Sequence, residues 1–355
     1  MKKKLSLLVA LVMALGITFA FSGCGGDSSG ESSGDGAQTF TIAHLQTENS
    51  AAGQYFTKLG EMLEENSGGK IKTEIYAGGT MAGSDTELAE LVRAGTVSMV
   101  PVPTHALSAL VDIPEYRIFE MPYLFTNWDE IYKVLDSDLA KDWAKPLADN
   151  AGVKVYGGLV KGWLSVGLKG QDPLAAPTDL KGKKVRTMAT DMQQGLIKAL
   201  SGSASTVAYG ELYTAIQQGT VDGSLTATNL YVADRFGEVV DSLSVIRATA
   251  HFHLPAVSAS WYDALPDDLK TVFDETMNEW LTYAREQEQI ADEDAMKELS
   301  EKMNVKVKEY TDEELAPFKA ATKDLFEKNK AACGDGVVDG VLQVLNKTEA
   351  DIFGK

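Results

Sequence analysis

Arg186 closes a short expected strand, Lys184–Arg186, that is entered from the polar turn Asp179–Lys183. A guanidinium so placed is always charged, planar and able to hold both oxygens of a carboxylate, which a lysine cannot do. The plainer reading is a solvated charge beside Lys183 and Lys184, and spacing alone leaves both open. His251 and His253 flank Phe252, so on a strand their imidazoles share a face, as in a two-histidine metal pair. No third ligand is identifiable nearby in sequence, which favours structural or hydrogen-bonding histidines; no metal and no other cofactor is expected. Cys24 and Cys333 are too few for a disulfide framework and sit in no metal-ligand spacing. Cys333 reads as a packed or surface thiol rather than a nucleophile.

Other chemistries leave no trace. The chain has no HExxH, GxSxG, CxxC or GxGxxG. Gly78 to Gly83 has the glycine spacing of a phosphate-binding loop, but Ser84 stands where that loop needs lysine. The acidic clusters Asp267-Asp268, Glu286–Asp294 and Asp312–Glu314 match no EF-hand and read as helix starts and solvated helix faces. No catalytic residue is expected from these motifs, although an enzyme whose residues are brought together by folding stays open. The balance of 33 Lys+Arg against 51 Asp+Glu gives a net charge of −18, which repels nucleic acid. Such a surface also repels an anionic solute unless a pocket cation reverses the field locally.

The elements that must position these residues begin after a leader. Lys2, Lys3 and Lys4 precede an uncharged run from Leu5 to Phe21, the pattern of an export signal. Phe21-Ser22-Gly23-Cys24 resembles a bacterial lipoprotein box, with Phe21 in place of the usual Leu. Residues 1–23 are thus expected to be a signal peptide and Cys24 a lipidated first residue, tethering the protein outside the cytoplasmic membrane. Residues 24–38, rich in Gly, Ser, Asp and Glu, read as a flexible linker.

From Thr39 onward, short apolar runs alternate with amphipathic stretches. Strands are expected at Thr39–Leu45, Ile71–Tyr76 and Val97–Val102, and helices at Ser50–Asn66 and Asp85–Ala94. A second series has strands at Val153–Leu159, Leu164–Leu168, Lys184–Arg186 and Val221–Leu225, with helices at Asp191–Leu200 and Glu211–Gln218. Strands at Ser244–Thr249 and Ala256–Ser260 follow, then a helix from Pro266 to about Met303 and further helices at Asp312–Lys328 and Gly336–Leu345. At 355 residues and 44% hydrophobic content, two series argue for an α/β protein of two lobes. Residues 39–160 are assigned mainly to one lobe and 161–260 mainly to the other. Residues 261–355 supply the long helix, which spans both, and the C-terminal helices, so the lobes are discontinuous.

The Arg186 stretch, read with Gly210-Glu-Leu-Tyr-Thr-Ala-Ile-Gln-Gln-Gly-Thr-Val-Asp-Gly223, resembles the solute-binding proteins of tripartite ATP-independent periplasmic (TRAP) transporters, of the DctP-like family. Phe119-Glu-Met-Pro-Tyr-Leu-Phe125, Glu87 to Val97 and Trp261 to Leu269 extend the resemblance, which covers about Thr39 to Lys328. It implies a periplasmic-binding-protein-like fold, two lobes joined by hinge strands, and closure around an organic acid delivered to the TRAP membrane permease. It further implies that Arg186 pairs with the ligand carboxylate. Tyr209 falls at a common aromatic pocket position, with a packed core tyrosine as the alternative.

Two departures bear on the ligand. Thr226 stands where the family places a ligand-binding Asn, and Leu164 near where some members carry a second Arg. With Trp163 and Tyr209 as aromatic surface, a monocarboxylate with an apolar or aromatic body is expected, not a sugar acid or dicarboxylate, because a hydroxyl-rich ligand would leave its groups unpaired. His44 and Gln46, at the end of the first strand, are further candidates for ligand contact. The alternative function is a solute-binding lipoprotein of an ATP-driven importer or a sensor, taking a non-acid solute.

Overall fold

The computed structural model describes residues 36–354; the export signal, Cys24 and most of the linker lie outside the described residues. Eleven strands form one continuous sheet. They are β1 (Gln38–Ala43), β2 (Ile71–Tyr76), β3 (Met99–Val102), β4 (Val153–Val155), β5 (Leu159–Leu168), β6 (Lys184–Thr187), β7 (Ser203–Thr206), β8 (Gly223–Ala227), β9 (Ser242–Val245), β10 (Ala250–Ser258) and β11 (Lys306–Glu309). On one side β2, β1 and β3 run parallel, with β10 antiparallel to β3. On the other β8, β6 and β7 run parallel, with β5 antiparallel to β8.

The two halves are one sheet only because β5 and β10 are long. Residues Leu159 to Trp163 of β5 pair with Ala250 to His253 of β10, and each strand then continues into a different half. This is the two-lobed α/β arrangement, with β5 and β10 as the connecting strands.

Helices cover the sheet because their apolar positions recur at helical spacing. The helix Ala51–Asn66 buries Tyr55, Phe56, Leu59 and Leu63, and its N-cap Ser50 accepts the Gly53 N–H at 3.2 Å. The helix Asp267–Glu301, 35 residues long, opens after Pro266, which costs nothing where no helical N–H bond is needed. Its first half packs on Ala51–Asn66: Trp280 Nε1 donates to Tyr55 O at 2.7 Å, and Asn66 Nδ2 to Thr276 Oγ1 at 3.0 Å. Further along, Glu288 accepts from Asn229 Nδ2 at 3.0 Å, next to β8. One helix thus holds both halves, as its length led one to expect.

Strand β5 is buried at every position yet carries Lys161. The lysine, 3% exposed, forms an ion pair with Glu288, 0% exposed, and donates to Tyr55 Oη at 2.9 Å. Pairing is what makes two buried charges tolerable. Beside it Gly162 has φ 124°, and a Cβ there would stand 2.6 Å from Asp292 Oδ1. Glycine is required by both conformation and space.

Several expected boundaries shift. The run Val153–Leu159 is not one strand: the chain turns at Gly157, φ 48°, and β5 starts at Leu159. Strand β10 begins at Ala250 rather than Ala256, running through Pro255, which faces Pro101 of β3. Strands β7 and β11 and the helices Thr104–Ser108, Trp128–Leu135 and Asp138–Pro146 have no counterpart in the sequence reading.

Candidate functional site

Both sets of parallel strands aim their carboxyl ends at the same place, where a cavity of about 380 Å³ opens. Ligands of open α/β sheets bind at such ends because the loops there are free to carry polar groups. Arg186 and Thr187 come from the end of β6, Val207 follows β7, and Leu225 and Thr226 end β8. From the other half, Gln46 follows β1, Asp85 starts the helix after β2, and His105 lies in the short helix after β3. His251 and His253 of β10 complete the cavity between them.

Arg186 is 6% exposed. Its Nε donates to Val207 O at 3.1 Å, and its guanidinium carbon lies 5.6 Å from the centre of the Tyr209 ring. Burial pulls its pKa down from the ordinary value, with Tyr209, Tyr231 and Asp85 acting in the other direction. A guanidinium stays charged under such a shift. Among the described residues no carboxylate forms an ion pair with it, so a buried cation fixed at one nitrogen presents its remaining donors to the cavity.

The remaining expected contacts divide. Gln46, Thr226 and Tyr209 line the cavity with Arg186. Tyr209 is held by its hydroxyl, which donates to Asp234, and by an edge contact with Phe236. Trp163 does not join them: side chains alternate along β5, so Leu164 faces the cavity while Trp163 lines a separate crevice with Trp128, Arg247 and Asp292. His44 is likewise displaced, 1% exposed and packed on Phe56 with ring centres 4.9 Å apart, while Leu45 and Gln46 reach the cavity.

Asp85, His105, His251 and His253 form a polar wall that sequence reading did not assign to the ligand. Burial pushes the Asp85 carboxyl up to about 7, against the pull of Arg186. Burial also depresses the imidazoles, His251 to about 3 and His253 and His105 in the same direction, so all three are uncharged at neutral pH. Among the described residues no group of three or more His, Cys, Asp or Glu is placed to hold a metal ion. Cys333 is buried, and burial lifts its thiol to about 11, which leaves it unreactive.

The profile of the family described as bacterial extracellular solute-binding protein, family 7 (DctP), matches residues 42–331. The chain belongs to that family. The C4-dicarboxylate-binding periplasmic protein DctP of Rhodobacter capsulatus is 24% identical over 303 residues, 84% of this chain and 89% of the relative. A TRAP periplasmic solute-binding protein from Ochrobactrum anthropi, solved with its C-terminus bound in the ligand-binding pocket, is 26% identical with a TM-score of 0.79, over 89% of this chain and 97% of that one. The sugar acid binding protein DctPAm from Advenella mimigardefordensis, solved with galactonate, is 25% identical with a TM-score of 0.81, over 88% and 98%.

As a DctP-like protein of the TRAP type, the molecule is a binding protein and not an enzyme. The family is extracellular, in keeping with the expected position outside the cytoplasm. No helix among the described residues is long and apolar enough to cross a membrane. A signal for these cavity-lining residues did exist: in this DctP-like chain Asp85 and His105 lie directly after loops that leave parallel strands.

Proposed function

We propose that this protein captures an organic acid outside the cytoplasmic membrane and presents it to a TRAP-type secondary transporter, with Arg186 holding the carboxylate. The carrying observation is the buried guanidinium that, among the described residues, has no carboxylate partner, at the carboxyl ends of both strand sets. A charge in that setting is stabilised by a matching anion more strongly than one in water would be. The relatives point the same way: one is named for C4-dicarboxylates and another holds galactonate. The alternative of an ATP-driven importer or sensor for a non-acid solute loses its ground with the family match.

The ligand is a monocarboxylate. Arg186 is the one cationic side chain lining the cavity among the described residues, and Asp85 lines it too. The apolar body expected from sequence finds support in Leu45, Leu164, Leu225 and Leu230, which line the cavity. Of its aromatic component, Tyr209 lines the cavity while Trp163 lines another crevice. The lobes close about β5 and β10, favoured only as far as the ligand binds the closed form better than the open one. Lipidation at Cys24 tethers the body to the membrane by the linker.

The test is a thermal melt of the protein, refolded to remove any co-purified ligand, against a panel of carboxylic acids and their carboxamides. A binder of the folded state raises the melting temperature with concentration. Acids that stabilise the wild type but not Arg186→Ala support the proposal; acid stabilisation unchanged in that variant refutes it.

A further inference from the structure

The crevice that Trp163 lines is a second cavity, of about 240 Å³, and it shares no lining residue with the Arg186 cavity. It sits at the strands that join the two halves. Trp163 comes from β5, Arg247 from the turn between β9 and β10, Trp128 from the first turn of the helix Trp128–Leu135, and Asp292 from the long helix Asp267–Glu301. Trp163 and Leu164 are successive residues of β5 that face the two cavities, so an occupant of either one bears on the same connecting strand.

Two buried polar atoms of this lining have no protein partner, Asp292 Oδ1 and Arg247 Nε. Such groups are costly and uncommon. Asp292 is 5% exposed, and burial and Glu288 lift its carboxyl to about 7, as befits a negative charge without a counter-ion. Arg247 pulls the other way, but its ion pair is with Glu309, which leaves Nε over. The unmet demand therefore has two signs: an acceptor on Asp292 and a donor on Arg247.

A primary ammonium answers a buried carboxylate with charge and N–H donors together. The two indoles favour the same charge, because the face of a tryptophan ring attracts a cation. The exposed Asp129 and Glu293 also line the crevice and repel a carboxylate, so the group that suits Arg247 Nε is a neutral oxygen. Val245 and Met296 add apolar surface for a short carbon chain. We infer that this crevice is a second ligand site, separate from the acid cavity, for a small primary amine bearing a neutral oxygen: its ammonium on Asp292, its oxygen on Arg247 Nε and its carbon chain against Trp128 and Trp163.

Calorimetry and tryptophan fluorescence of the refolded protein test this with leucinol, an amino alcohol, and with 4-methylpentan-1-ol, which lacks the amine. Leucinol is expected to bind and to change the tryptophan emission, and the plain alcohol to bind about tenfold or more weakly. Asp292→Asn, which keeps the shape of the side chain, is expected to weaken leucinol by about tenfold or more, and Arg186→Ala to leave it unchanged. Trp128→Leu, at a half-buried position, is expected to weaken it about threefold to tenfold, with circular dichroism confirming that each variant is folded. No binding of leucinol to the wild type overturns the inference, as does an affinity untouched in both Asp292→Asn and Trp128→Leu. Leucinol binding that is lost in Arg186→Ala would place the amine in the acid cavity and overturn it too. The plain alcohol binding as tightly as leucinol would overturn the assignment of Asp292 to an ammonium.

Discussion

At the scale of single residues the account rests on Arg186, and its two substitutions separate charge from geometry. Arg186→Ala leaves the ligand carboxylate unpaired in a closed cavity and is expected to cost about 2–5 kcal/mol of binding in a calorimetric titration. Arg186→Lys keeps a charge but loses the planar fork, and its affinity is expected to fall between the two. Arg186 could be singled out from sequence because its stretch, read with Gly210 to Gly223, resembles the family's pattern; its spacing alone left a solvated charge open. Trp163 was misplaced by a single step of strand alternation: facing depends on the parity of β5, which the sequence leaves open where Gly162, φ 124°, disturbs the strand. Another residue-scale prediction concerns Asp292, 5% exposed, whose carboxyl is raised by burial and by Glu288 to about 7. The native state holds that proton while the unfolded chain releases it near 4, so this group's contribution to stability is present at low pH and lost as pH rises through 7. Asp292→Asn removes the loss. Its melting temperature relative to wild type is expected to climb between pH 4 and pH 7.5; a flat difference would contradict the assignment.

At the scale of elements, β5 and the helix Asp267–Glu301 are tied by Lys161 and Glu288. Glu288→Leu strands a buried ammonium and is expected to destabilise the fold by about 3–5 kcal/mol in urea denaturation, whereas Lys161→Met with Glu288→Leu recovers most of the loss. A double variant as unstable as the single one would mean that the loss does not come from a stranded buried charge. Gly162→Ala forces a Cβ toward Asp292 Oδ1 in a backbone conformation that favours glycine, with an expected cost of about 1–3 kcal/mol in the same assay. The long helix was legible because Pro266 and the recurrence of Leu269, Phe273, Met277 and Trp280 mark its start and buried face. Strand β7 was not: Ser-Ala-Ser-Thr lacks an apolar pattern and has no fully buried residue, so only its pairing with β6 makes it a strand. The start of β10 was hidden by Pro255, a residue normally confined to strand edges, which here faces another proline, Pro101.

At the scale of the whole molecule, the alternation of elements was enough to read an α/β protein of two lobes. What escaped it was the convergence of six strand ends and β10 on one cavity, since lining residues such as Asp85 and His251 are brought together by topology alone. That convergence is also what lets an acidic protein hold an anion: the net charge of −18 is spread over the surface, while one guanidinium sets the local field. Closure of the lobes is expected to appear in small-angle scattering as a fall in the radius of gyration on adding ligand, and to be absent in Arg186→Ala. The most direct test of the central claim is a calorimetric comparison of one bound acid with its carboxamide, against wild type and Arg186→Ala. The account predicts that wild type prefers the acid by about a hundredfold or more, in line with a lost charge pair, and that the variant no longer distinguishes the two. A variant that still prefers the acid by the wild-type margin would show that some other group holds the carboxylate.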